Sequence, residues 1–157
     1  MTISRLVVGS AFWLSLSMSD IVRGAEPPLH PVPLYDNLGI LHHPITTSSI
    51  KAQQYFDQGL RMVYAFNHEE AILAFEAASR IDPTAAMAYW GVALALGPNI
   101  NTAMNKADNR RAWEAVQKAK FQSAHVSAAE RAYIDAISKR YSQKSRPRGP
   151  LDQVYAE

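Results

Sequence analysis

Three histidines are the residues whose types could do chemistry in this chain of 157 residues. His42 and His43 are adjacent, and His68 is followed by Glu69 and Glu70. Imidazole and carboxylate groups together suit zinc, copper or iron, so the three histidines could form a metal site if the segment carrying the first two folded back onto the third. However, adjacent residues of an extended segment point to opposite faces, and no two of these ligands have the i, i+4 spacing of a preformed helical site. We therefore favour capping and surface roles for them and predict no cofactor.

Other catalytic classes receive little support from the sequence. The absence of cysteine excludes thiolate nucleophiles, disulfides, cysteine-based zinc sites and iron–sulfur clusters. Residues 46–49 are Thr-Thr-Ser-Ser before a helical pattern, which is typical of helix caps, and no Gly-x-Ser-x-Gly elbow surrounds them. Residues 97–101 lack the glycine spacing and the Lys-Ser/Thr pair of a phosphate loop. These features favour a noncatalytic protein.

The charge balance argues against nucleic acid as a partner. The chain contains 16 Lys and Arg and 14 Asp and Glu, which gives a formal net charge of +2. This positive charge is too small and too dispersed to form a nucleic-acid-binding surface. The basic residues between positions 139 and 148 suit a helix end followed by a solvated loop.

The first 24 residues are typical of a secretory signal peptide. Arg5 precedes an apolar run over residues 6–18, and Val22 and Gly24 supply small side chains before Ala25. A run of this length is shorter than the ~20 residues that a membrane-crossing helix needs. We therefore predict export to the periplasm or the medium and no membrane span in the mature chain, with a buried N-terminal helix as the alternative.

Residues 25–47 contain five prolines, which predicts a linker. Helical spacing begins at Ser48 and predicts a first helix to about Phe66 and a second helix to Ile81, with Asn67 as its cap and Glu70 reaching back. We expect a third helix from Pro83 to about Leu96, with Asp82 as its cap.

Three further helices complete the predicted all-α domain over residues 48–157. The fourth has an inner face of Ala112, Val116 and Ala119, and the fifth runs from a cap at Ser127 with Glu130 to about Tyr141. Its predicted inner side is Ala129, Tyr133, Ile134, Ile137 and Tyr141. Residues 151–157 are typical of a sixth helix that is truncated, so we expect an amino-terminal piece of a longer solenoid.

A repeat of 34 residues relates the first and third helices, because Tyr55 precedes Tyr89, and Gly59 precedes Ala93, by that distance. Residues 52–96 resemble the tetratricopeptide repeats, with small residues at positions 59, 71, 78 and 93, Phe75 between them and Pro83 at the end. The phrases at 42–44, 55–60, 66–71 and 88–91 are also similar to those of long secreted bacterial tetratricopeptide repeat proteins of unassigned function. The resemblance implies a solenoid of antiparallel helix pairs that binds proteins.

Close helix packing explains the small residues without reference to a family. Gly59 against Ala71 or Ala78 allows the first two helices to approach, and Phe75 is expected to fill the space beside them.

The first helix of each pair is expected to line a concave face where a peptide or partner helix binds. The predicted partner-binding residues are Gln53, Phe56, Leu60, Tyr64, Met87, Trp90 and Leu94. The alternative is that these residues pack within the chain, against the linker among other segments. We thus predict an exported, noncatalytic scaffold that binds a protein or peptide. The alternative function is an exported metal-binding or metalloenzyme module that uses His42, His43 and His68.

Overall fold

The computed structural model describes residues 32–99, 103–144 and 146–157. The predicted signal peptide and the first part of the predicted linker lie outside these residues. The described chain is helical and contains no strand, which confirms the predicted all-α class. The helices are α1 (Ile50–Tyr64), α2 (His68–Ile81), α3 (Ala86–Ala95), α4 (Lys106–Gln122), α5 (Ala128–Lys139) and α6 (Arg148–Ala156), with a 3-10 turn at Ser123–His125.

Helix starts follow the predicted caps at two of four places, since neither Asn67 nor Asp82 caps a helix with its side chain. Ser49 caps α1 by accepting a hydrogen bond from the backbone N–H of Ala52. Ser127 and Glu130 form a reciprocal capping box at α5. The predicted cap by the Asn67 side chain is wrong, because that side chain makes no capping hydrogen bond at α2.

The third helix begins later than predicted because Asp82 organises a turn before it. The Asp82 carboxylate accepts hydrogen bonds from the backbone N–H of Thr84 at 3.0 Å and from its hydroxyl at 2.6 Å. Its carbonyl accepts from the N–H of Ala85 at 3.1 Å. Short polar side chains that bind the backbone in this way favour turns over helix, so α3 starts at Ala86 instead of Pro83.

Phe75 is the centre of the packing among the first three helices. Its side chain is fully buried and lies between two glycines. A Cβ atom added to Gly59 of α1 would lie 2.7 Å from the ring, and one added to Gly91 of α3 would lie 2.4 Å from it. The Phe75 ring therefore packs directly on Gly59. The sequence had instead predicted Ala71 or Ala78 opposite Gly59, with Phe75 beside them.

The second half of the core follows the predicted spacing, except on one side of α5. Ala112, Val116 and Ala119 are buried, as are Ile134, Ile137 and Tyr141, but Ala129 and Tyr133 are exposed. Their exposure follows because α5 turns only a narrow stripe toward α3 and α4. The Tyr141 hydroxyl donates to the carbonyl of Ala93 at 2.6 Å, and burial raises the pKa of this hydroxyl to about 12.

Each helix packs against the next one along the chain, and α3 also contacts both α1 and α5. The first helices of the three pairs are therefore neighbours. In the part of the chain that the structure describes, no helix has the length and hydropathy to cross a bilayer.

Candidate functional site

Residues 32–47, which we call the strap, lie along α1 without forming a helix. Val32 and Ile45, at its two ends, are buried. The Tyr55 hydroxyl donates to the carbonyl of Val32 at 2.7 Å. The predicted linker thus includes a segment that is fixed on the helical domain.

A row of polar side chains on α1 holds the strap by its backbone. Three side chains spaced four residues apart each bind a main-chain group of every second strap residue. Gln53 accepts from the N–H of Ile45 and Asp57 accepts from the N–H of His43. Arg61 donates to the carbonyl of Leu41. Gln53 also donates to the carbonyl of His43 at 2.9 Å. We call Gln53, Asp57 and Arg61 the ladder residues.

The ladder works because two backbone repeats have nearly the same length. Four residues of an α-helix rise about 6 Å, and two residues of an extended chain span about 6.6 Å. Side chains at i, i+4 and i+8 of α1 can therefore each reach a main-chain group of every second residue of an extended segment. Gln58 continues the contact on the flank of α1, accepting from the N–H of Tyr35 and donating to the carbonyl of Pro33, both at 2.9 Å.

Asp57 is the most enclosed of the ladder residues, with 6% of its surface exposed. Its carboxylate is 2.7 Å from His42 Nδ1, accepts from the N–H of His43 at 3.0 Å and accepts from Gln53 Nε2 at 3.0 Å. A buried carboxylate needs such donors, since leaving it unpaired is costly.

The strap then crosses to α5 through Thr46. Its N–H and hydroxyl donate to the Glu130 carboxylate at 2.6 and 2.5 Å. Burial alone would raise the pKa of Glu130, but hydrogen bonds from Thr46 and Ser127 outweigh it, so the pKa lies below its usual value.

The next strap residue makes a similar contact, since the Thr47 hydroxyl donates to Asp82 at 2.5 Å. At Asp82 burial again raises the pKa, while hydrogen bonds from Thr47, Thr84 and Ala85 lower it by more.

Aromatic rings from α1, α3 and α5 meet beside this crossing. The ring centroid of His43 is 6.1 Å from that of Phe56 and 6.3 Å from that of Tyr133. Tyr133 is also 5.8 Å from Trp90 in an edge-on arrangement. Because Tyr133 is 48% exposed, part of this cluster faces solvent.

The four predicted site residues of α1 have different environments. Phe56 and Leu60 are buried, so they contact other residues of this chain. Gln53 is half-buried and binds the strap. Tyr64 is 70% exposed and is accessible to a partner.

The three predicted site residues of α3 also differ in exposure. Met87 is fully buried, whereas Trp90 and Leu94 are half-buried. The accessible part of the predicted face therefore consists of Tyr64, Trp90 and Leu94, with Gln53 under the strap.

The histidines of the metal hypothesis have separate neighbours. His42 pairs with Asp57 and His43 lies against Phe56 and Tyr133. His68 instead lies edge-on to Phe66, at 6.2 Å between ring centroids, and lines a cavity of about 450 Å³ with Arg111 and other residues. Among the described residues, no three His, Cys, Asp or Glu side chains are grouped so that they could share a metal ion.

Sequence reasoning did not predict that Asp57, Arg61 and Glu130 bind the strap. A usable signal was present, because Gln53, Asp57 and Arg61 form a polar row at i, i+4 and i+8 beside an apolar face. Such a row is usually interpreted as a solvated face. Glu130 gave only the signal of a capping box.

Comparison with known proteins adds no further identification, since no protein-family model, no curated protein and no solved structure matches the chain.

Proposed function

We propose that this protein is an exported, noncatalytic scaffold that binds an extended polypeptide on the face formed by α1, α3 and α5. The observation that carries the proposal is the backbone ladder, in which Gln53, Asp57 and Arg61 bind main-chain groups of an extended segment. Main-chain hydrogen bonds supply affinity for many sequences, and neighbouring pockets supply selectivity.

The aromatic cluster gives this face a means of selection. Trp90 and Tyr133 lie on adjacent helices next to the ladder, and Tyr64 is exposed near the end of α1. Aromatic side chains combine a large contact area with few rotatable bonds and often dominate binding energy. The pairwise packing of the helices supports a tetratricopeptide-like solenoid as the framework.

Peptide selection tests the proposed activity. Peptides of twelve random residues displayed on phage would be selected on the immobilised chain. The binding of a selected, fluorescently labelled peptide would then be measured by fluorescence anisotropy. Tyr64→Ala and Trp90→Ala should each weaken binding at least tenfold. Phe121→Ala is the matched control, because Phe121 is 83% exposed on α4, and it should change binding less than twofold.

Melting curves recorded in parallel separate binding from folding. Failure to select any peptide, or equal losses in the Phe121 and Trp90 variants, would contradict the proposal. Metal analysis of the purified, unchelated chain addresses the alternative function. Stoichiometric metal that disappears in His43→Ala and His68→Ala variants would replace the scaffold proposal by the metal-binding one.

Export forms part of the proposal and rests on the charged start, the apolar run at 6–18 and the small residues before Ala25. Intact-mass analysis of the protein from its native host should show a chain that begins near Gly24 or Ala25. A cytoplasmic chain that retains Met1 would refute it.

A further inference from the structure

We infer that the strap occupies the peptide-binding face until a partner displaces it. The partner carries a hydrogen-bond-donating side chain opposite Asp57. This inference rests on the proposed function, because it identifies the occupant and the partner chemistry of the same face. Three observations carry it: how the strap is held, what its side chains do, and what Asp57 requires.

The strap is held mainly by its backbone, so another extended segment could make the same contacts. The ladder residues bind N–H and carbonyl groups at positions 41, 43 and 45, and every polypeptide except at proline offers both groups. Replacement of the strap by a partner therefore exchanges equivalent hydrogen bonds.

Between the two ends of the strap, the side chains of His42 and His43 contact the helices, while most of the apolar side chains remain exposed. Val32 and Ile45 are buried and Leu38 is half-buried. Four other apolar side chains remain 40–98% exposed: Leu34, Tyr35, Leu41 and Ile40. Residues of this part of the strap and of α1 also line a cleft of about 320 Å³, Tyr35 and Asp57 among them. A segment that served only as a structural cap would bury these groups.

Asp57 imposes a requirement on whatever replaces the strap. Its buried carboxylate receives one side-chain donor from the strap, His42 Nδ1 at 2.7 Å, and one backbone donor, the N–H of His43. A partner without a donor at the first position would leave the carboxylate underpaired. The preferred partner is therefore an extended peptide with His, Lys or Arg at that position.

Competition between the strap and a free peptide can be measured directly. The probe is a fluorescein-labelled synthetic peptide with the sequence of residues 36–47. It is added to the full chain and to a variant with Ile45→Ala and Thr46→Ala, which changes two strap residues and no residue of a helix. A tethered segment competes at an effective concentration of the order of millimolar. Loosening it should therefore tighten peptide binding at least tenfold.

The peptide itself tests the requirement of Asp57. The H42A version should bind the loosened chain about tenfold more weakly, while the I40A version, altered at a side chain that is 98% exposed in the strap, should bind as the unmodified peptide does. In a loosened chain that also carries Asp57→Asn, the H42A and unmodified peptides should bind alike.

Hydrogen exchange decides whether the strap opens on its own. The amides of His43 and Ile45 should exchange much faster than the amides of α1 in the wild-type chain. The inference is overturned if these amides exchange only with global unfolding, if the peptide binds both chains equally, or if it binds neither. The proposed function is tested separately, by binding of the library peptides to the wild-type chain and the Trp90 variant, so these outcomes do not decide it.

Discussion

Gly91→Ala should destabilise the domain, because the space for a methyl group at Gly91 is already occupied by Phe75. The added Cβ would lie 2.4 Å from Phe75 Cδ1, whereas carbon atoms pack at about 3.5–4.0 Å. The ring has little room to move away, since Phe75 is fully buried and is also packed closely against Gly59 of α1. Overpacking of this kind costs about 1–3 kcal/mol.

Helix propensity opposes this loss and must be separated from it. Because the 2.4 Å contact is more than 1 Å too short, we expect a cost in the upper part of that range, about 2–3 kcal/mol. Alanine is favoured over glycine in a helix interior by about 1 kcal/mol, so the net loss in the free energy of unfolding should be about 1–2 kcal/mol. The matched control is Ala132→Gly at an exposed position of α5, which measures propensity alone. Urea unfolding followed by circular dichroism gives both values.

A second substitution tests the cause. In a chain that also carries Phe75→Leu, Gly91→Ala should cost less than it does alone, because the ring that it meets is gone. If Gly91→Ala leaves stability unchanged or raises it, Phe75 is not confined between the two glycines and the packing argument fails.

Three other substitutions or conditions test separate features. Gly59→Leu should lower the melting temperature more than Gly91→Ala does, because it places a longer side chain against Phe75; an unchanged midpoint would contradict the α1–α2 packing. Phe66 lies two residues after α1 with φ +58° and is mostly exposed, so Phe66→Gly should raise the free energy of unfolding by about 1 kcal/mol. A lower melting temperature would show that contacts of the side chain outweigh the backbone strain. Folding lowers the pKa values of Glu130 and Asp82. Both carboxylates therefore stabilise the fold when the pH is above their ordinary pKa values of 4.5 and 3.8. This stabilisation should disappear as the pH falls through the pKa values of the folded state. Glu130→Gln should reduce this acid dependence in urea titrations at stepwise pH, and an unaltered dependence would exclude Glu130 as a source.

The helices could be predicted because their cause is periodic and local. Apolar residues at helical spacing define one face, and a pair such as Ser127 and Glu130 marks a start through contacts three residues apart. The turn at Asp82 was missed because two conformations competed there, and the side-chain hydrogen bonds to Thr84 that decided between them leave no distinct pattern.

The proposed binding face was only partly predictable because its main contacts are neither periodic nor local. The strap is held by side chains of α1 that reach backbone groups 8–25 residues away, and a backbone group has no signature in the sequence. Proline content predicts the absence of helix in residues 32–47, and it does not reveal where that segment lies. Phe56 and Leu60 have the same spacing whether they face a partner or the core, so only the packing separates the two roles.

The hydrogen bonds between Thr46 and Glu130 join residues 84 positions apart. Arrays of helix pairs usually rely on contacts between neighbours, so they can nucleate in several places and fray from an end. Here the beginning of the described chain is fastened to the third pair, which raises the contact order of an otherwise local topology. The first pair cannot fray outward while this closure holds, so release of the strap from Glu130 should come before unfolding of that pair, and the closure itself forms only after α5 is in place.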